Sequence, residues 1–316
     1  MNQHLSIKHS ETLRPDGRRP IPLPLLEAGL ILTWSSGFIG ARFSIDYAPP
    51  LLVVFWRCVL VCLILLPFVF RQLRQTSPAV LLKNSGIGLL AMTGYLAGIT
   101  QGIALGVPAG LAALFADLLP IGMALLAALF LGQRLAWGVW VGLAIGLLGV
   151  VIATQGALAW GKAPLWAYGL PLLGMLSLAV ATLWRKRLTL SQTMGLLPNL
   201  WLQCCVSGIV FAVIEGVQGV QGGLAPIPST GFALSVAWTA GLSTLGGYGL
   251  YWICLRRASE TRVASVLYLS PPVTMLLAWM MFDEPLSWQM ASGMLVSGIG
   301  IWAVVRAERR KAEAAR

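Results

Sequence analysis

Apolar runs of about twenty residues follow one another along nearly the whole chain, joined by connections too short to hold a domain. An α-helix rises about 1.5 Å per residue, so each run can cross the ~30 Å hydrocarbon core of a bilayer with its backbone polar groups bonded internally. Ten spans are expected, roughly at 25–45, 50–70, 84–105, 109–131, 135–153, 165–184, 194–215, 231–253, 261–282 and 287–306. Composition agrees: 57% of the 316 residues are hydrophobic and 10% charged, whereas a soluble domain carries about 25% charged residues. The expected fold is an all-α polytopic membrane protein with ten transmembrane helices.

The net charge of +11 does not read as a nucleic-acid footprint, because the basic residues fall in short clusters between apolar runs. With the N-terminus inside, all but Arg42, Arg57 and Lys162 of the 22 lysines and arginines lie in cytoplasmic segments. Both the polar tail 1–24 and the basic tail 307–316 are therefore expected in the cytoplasm. Both histidines lie in the first tail, and the five cysteines, without a CxxC, read as small packed hydrophobes. Metal, disulfide and cofactor chemistry are accordingly not expected.

Sliding the chain over itself by 151 residues places Pro120 on Pro271, Trp137 on Trp288, Gly142 on Gly293 and Gly149 on Gly300. Two repeats follow, 25–153 and 165–306, of five spans each. An odd number of spans forces the second copy to enter the membrane from the opposite face. Such inverted repeats are a transporter architecture, with a solute site between the halves near the midplane.

These features resemble the drug/metabolite transporter superfamily and its EamA family. Its fourth helix in each repeat carries a central proline and its fifth is Gly-rich. Here these are Pro120 with Gly142, Gly146 and Gly149, and Pro271 with Gly293, Gly298 and Gly300. Trp34 and Arg57 also look like positions typical of the first repeat. The resemblance implies a ten-helix inner-membrane transporter, often an exporter of amino acids, other metabolites or drugs.

Ionisable groups inside a bilayer are costly and default to a functional reading. Asp117 is the one acidic residue deep in an apolar span, and Arg57 lies at similar depth. They either neutralise each other and fix packing, or face a cavity where Arg57 attracts a carboxylate and Asp117 a cationic group or a proton. Trp34 and Tyr95 fall near mid-span, where aromatic rings suit apolar or aromatic solutes or simply pack. Ser35, with Thr33 and Ser36, bonds either a solute or the preceding helical turn. Tyr268 stands where the second repeat lacks Asp117, and Leu202 stands where it lacks Arg57. Pro120 and Pro271 should break their helices. Tyr248 and Tyr251 read as interface anchors, and Glu215 as a hydrated group at the outer end of its span. The glycine patterns permit close packing of helices, within the chain or between subunits of a homo-oligomer.

The expected function is a secondary transporter, exporting a small organic solute by alternating access between the repeats. The alternative is an enzyme embedded in the membrane and acting on a lipid-linked substrate. Such an enzyme would need a nucleophile, an acid–base set or a metal, and the apolar spans offer no histidine and a single deep carboxylate. No nucleotide-binding loop is present, so gradients would supply the energy.

Overall fold

The computed structural model describes residues 21–132, 135, 137–158, 163–218, 223–258 and 260–314. Most of the N-terminal tail, Arg134 and Lys162, on which the orientation argument partly leans, lie outside them. Helix α1 spans Leu23–Ser44 and α2 Pro50–Gln75. The third expected span is α3 (Pro78–Gly88) and α4 (Tyr95–Ala104), joined by a π-helical turn at Leu89–Gly94. The fourth is α5 (Ala109–Asp117) and α6 (Leu119–Leu131), and the fifth α7 (Trp137–Leu158). In the second half come α8 (Gly169–Lys186) and α9 (Leu196–Gln218). They are followed by α10 (Thr230–Ala237), a π-helical stretch at Trp238–Gly246, and α11 (Gly247–Leu255). The last two spans are α12 (Glu260–Leu267) with α13 (Ser270–Phe282), then α14 (Trp288–Ala314).

Among the described residues eight helices are long and apolar enough to cross a membrane, or nine if α5 and α6, bent by 42°, count as one span. The expected span at 231–253 is helical throughout but is not among them. Its Gly, Ser, Thr and Tyr residues dilute the apolar character that the other runs keep, and Ser235, Thr239 and Thr244 among them are buried in the bundle.

Both fourth spans break two residues before a proline. The first breaks at Leu118, ahead of Pro120, and the second at Tyr268–Leu269, ahead of Pro271. Each proline opens the second half-helix, where its missing N–H costs nothing. The half-helices also end alike, at Gly132 and Asp283, both left-handed and 151 residues apart.

Packing exchanges elements between the halves. Helix α1 lies on α13 and on the π stretch before α11, and α8 lies in the same way on α6 and on α4. Helices α2 and α9 pair with each other, as do α7 and α14. The last pair comes together through glycine: a Cβ built on Gly142 would lie 2.8 Å from the carbonyl oxygen of Gly300. This small-residue seam is buried inside the chain, so Gly142, Gly149, Gly293 and Gly300 serve contact between its own halves.

Candidate functional site

A cavity of about 80 Å³ lies between the halves, lined by Trp34, Arg57, Met92, Tyr95, Ser243 and Tyr248 among others. Both π-helical segments reach it, the first through Ala91 and Met92 and the second through Ser243. An extra residue in a helical turn frees a backbone bond and re-aims side chains, and such turns recur at functional sites. Thr244, inside the second π segment, uses its hydroxyl twice. It accepts from Arg57 Nε at 2.8 Å and donates to the Thr239 carbonyl at 2.8 Å.

The structure brings Arg57, Trp34 and Tyr95 into one wall. Trp34 packs against Tyr248 and Tyr251, each ring centroid 6.1 Å away. Tyr248 therefore lines the cavity instead of anchoring the chain at an interface; Ser243 joins it, and Thr244 reaches it only through its bond with Arg57. None of the three carried an expectation of solute contact, because the register of that span depends on the π insertion. A run of Gly, Ser, Thr and Tyr in an otherwise apolar segment was the available signal.

Asp117 and Arg57 do not pair: neither forms an ion pair among the described residues. Asp117 ends α5 at the helix break, and its Oδ2 is buried without a hydrogen-bond partner among them. Arg57 and Tyr95 line the cavity, whereas Asp117 is not among its lining residues.

Ser35 is elsewhere. It is fully buried, and its hydroxyl lies 3.2 Å from the hydroxyl of Ser270, tying α1 to the start of α13. Thr33 and Ser36 bond carbonyls of their own helix. Tyr268 sits at the break in the second repeat, packed against the main core. Glu215 differs from expectation: it is 1% exposed, and its Oε2 has no partner among the described residues. Helix α9 runs to Gln218, so this carboxylate does lie in its last turn, but buried and not hydrated.

At the end of the bundle near Ser44, Glu284 Oε2 accepts the Ala109 N–H at 2.9 Å, where α5 begins. Its Oε1 lies 3.5 Å from Arg42 Nε, and Arg42 also pairs with Asp46 at 3.0 Å and covers the Phe282 ring at 4.8 Å. At the opposite end Arg262 grips Glu27 with two bonds, at 2.6 and 3.0 Å. Helix α1 is thus tied to the ninth span at both ends and in the middle.

Two broken, proline-opened helices, two π-bulged helices and an interior arginine among aromatic rings define a helical membrane protein built on an internal repeat around a small central cavity. The chain belongs to the EamA-like transporter family, whose profile matches residues 25–155 and 165–306. An Escherichia coli protein named as an uncharacterized inner membrane transporter, YedA, is 27% identical over 289 residues, 90% of each chain. A Salmonella typhimurium protein named as a probable amino-acid metabolite efflux pump is 25% identical over 278 residues, 86% of this chain and 91% of that one. A solved crystal structure superposes with a TM-score of 0.55 at 20% identity, covering 91% of this chain and 98% of the other, a likeness of fold alone.

Proposed function

We propose that the protein exports a small carboxylate-bearing solute with an apolar or aromatic body, an amino acid or a close metabolite of one, across the cytoplasmic membrane. The observation that carries this reading is Arg57, a guanidinium in the wall of an aromatic cavity, bonded to a hydroxyl and to no carboxylate among the described residues. A planar fork with donors to spare suits a carboxylate, and Trp34, Tyr95 and Tyr248 offer ring faces to the rest of the solute. The cavity is smaller than the ~300 Å³ at which ligand sites begin, so one end of the bundle must open to admit cargo. Relatives named as probable amino-acid metabolite efflux pumps support the direction and the solute class. The clustering of basic residues supports both termini in the cytoplasm. Asp117, at the helix break with no partner for its Oδ2 among the described residues, is the group to hold a solute ammonium or a coupling proton.

The test is flux in proteoliposomes, comparing labelled phenylalanine with phenethylamine, which lacks the carboxylate. Saturable, protein-dependent flux of phenylalanine that phenethylamine neither shows nor inhibits is the expected result. Protein-dependent flux of phenethylamine equal to that of phenylalanine would overturn the carboxylate reading.

A further inference from the structure

Four of the five cysteines meet at the seam between the repeats, a placement that spacing along the chain did not reveal. Cys58 and Cys62 belong to α2, Cys204 and Cys205 to α9, and these two helices pack together. The Cys62 and Cys205 sulfurs lie 3.3 Å apart, and both residues are half-buried while Cys58 and Cys204 are buried. A disulfide needs about 2.05 Å, so the two sulfurs must close by only about 1 Å. The backbone around them is pinned. Trp201 Nε1 donates to the Cys62 carbonyl at 3.0 Å, and the Cys62 thiol donates to the Trp201 carbonyl at 3.7 Å. Counting ~1.5 Å per residue, Cys62 lies ~18 Å along α2 and Cys205 ~14 Å along α9, within the hydrocarbon core. Next to the pair, the Cys204 thiol lies 3.6 Å from Sδ of Met92, which lines the cavity.

We propose that Cys62 and Cys205 are an oxidisable pair: a hydroperoxide dissolved in the bilayer converts them to a disulfide that staples one repeat to the other and arrests the transport cycle. In the first step one cysteine sulfur attacks the terminal peroxide oxygen. The O–O bond breaks, the alcohol leaves with the thiol proton, and a sulfenic acid remains. The second sulfur then attacks the sulfenic sulfur, the S–S bond forms, the S–O bond breaks, and water leaves with the second proton. Two thiols give up two electrons and one hydroperoxide accepts them. The consequence for transport rests on the transporter reading above: alternating access moves the repeats against each other, and this bond crosses from one to the other beside the cavity wall.

The test uses the full chain in liposomes with Cys58, Cys204 and Cys254 replaced by alanine, treated with cumene hydroperoxide. Peptide mass spectrometry should find Cys62 linked to Cys205. Phenylalanine flux should fall roughly tenfold or more, as a bond that forbids relative motion of the repeats requires, and dithiothreitol should restore it. The Cys205→Ser variant on the same background should ignore the oxidant. A folded protein that forms no Cys62–Cys205 link, or a linked protein that carries phenylalanine at the reduced rate, overturns the proposal. If the reduced protein carries no phenylalanine, the solute assignment fails separately, and amide hydrogen exchange across 50–75 and 196–218 decides. Slower exchange in the linked form upholds the staple, and unchanged exchange overturns it.

Discussion

An arginine and an aspartate inside membrane spans that do not pair among the described residues are an expensive arrangement, and the proposed reading gives them separable tasks. If Arg57 holds the solute carboxylate, Arg57→Gln removes a charge-assisted bond of about 1.5–3 kcal/mol, a tenfold to hundredfold loss of apparent affinity for phenylalanine. Arg57→Lys keeps the charge but not the planar fork and should fall between the two. Equal KM for wild type and Arg57→Gln would remove Arg57 from the site. If Asp117 carries the coupling proton, Asp117→Asn abolishes accumulation against a gradient while leaving phenylalanine exchange across the membrane; if it holds the solute ammonium, exchange falls as well. Uphill transport at the wild-type level in that variant would exclude Asp117 as the proton carrier. A third residue carries backbone strain. Asp283 closes α13 with φ 51°, where its counterpart 151 positions earlier is glycine. Asp283→Gly should stabilise the protein by about 0.5–1 kcal/mol, read as a higher melting temperature in detergent.

Helix contacts carry the next level, and glycine spacing governs one of them. Adding a methyl group at Gly142 drives it into the backbone of α14, whereas Gly298, on the same pair of helices, has open space where its Cβ would stand. Gly142→Ala should therefore lower stability by about 1–3 kcal/mol through overpacking, while Gly298→Ala should leave the melting temperature nearly unchanged. Loss of equal size in both would mean that backbone flexibility, not contact, is what these glycines provide. The same pair shows what a sequence can and cannot disclose. Length and apolarity mark the spans, and the Pro, Trp and Gly matches at one offset reveal a repeat, because these signals are local or self-similar. Arg57 and Asp117 stand out because charge in an apolar run is rare. The π-helical segments do not stand out, since an inserted turn leaves no period to detect, and with them the placement of Ser243 and Tyr248 at the cavity stays hidden. The Cys62–Cys205 contact and the Ser35–Ser270 bond join positions far apart in sequence. Nothing along the chain distinguishes them from ordinary packing.

Across the whole molecule, the two halves share a plan but not a charge pattern. Helix α1 is fastened to the ninth span by Glu27–Arg262 at one end and by Arg42–Glu284 at the other. Its counterpart α8 has no such pair among the described residues. Two fastenings are closed at once in a molecule whose central cavity is about 80 Å³, and under the proposed alternating access each must release in turn for the path to open. Glu284 does two jobs, pairing with Arg42 and capping the first N–H of α5, so Glu284→Gln weakens the charge link while keeping an acceptor for the cap. A partly exposed pair of this kind contributes about 1 kcal/mol, enough to move an open-to-shut ratio roughly fivefold. On a background in which the five cysteines are replaced by alanine, Ser243→Cys reports on access to the cavity through labelling by a membrane-impermeant maleimide. Glu284→Gln should raise labelling from the face that carries Arg42, and Glu27→Gln from the face that carries Arg262. Increases from the same face in both variants, or in neither, would show that these pairs only hold the bundle together. Increases from opposite faces would identify α1 as the element whose two ends gate the path.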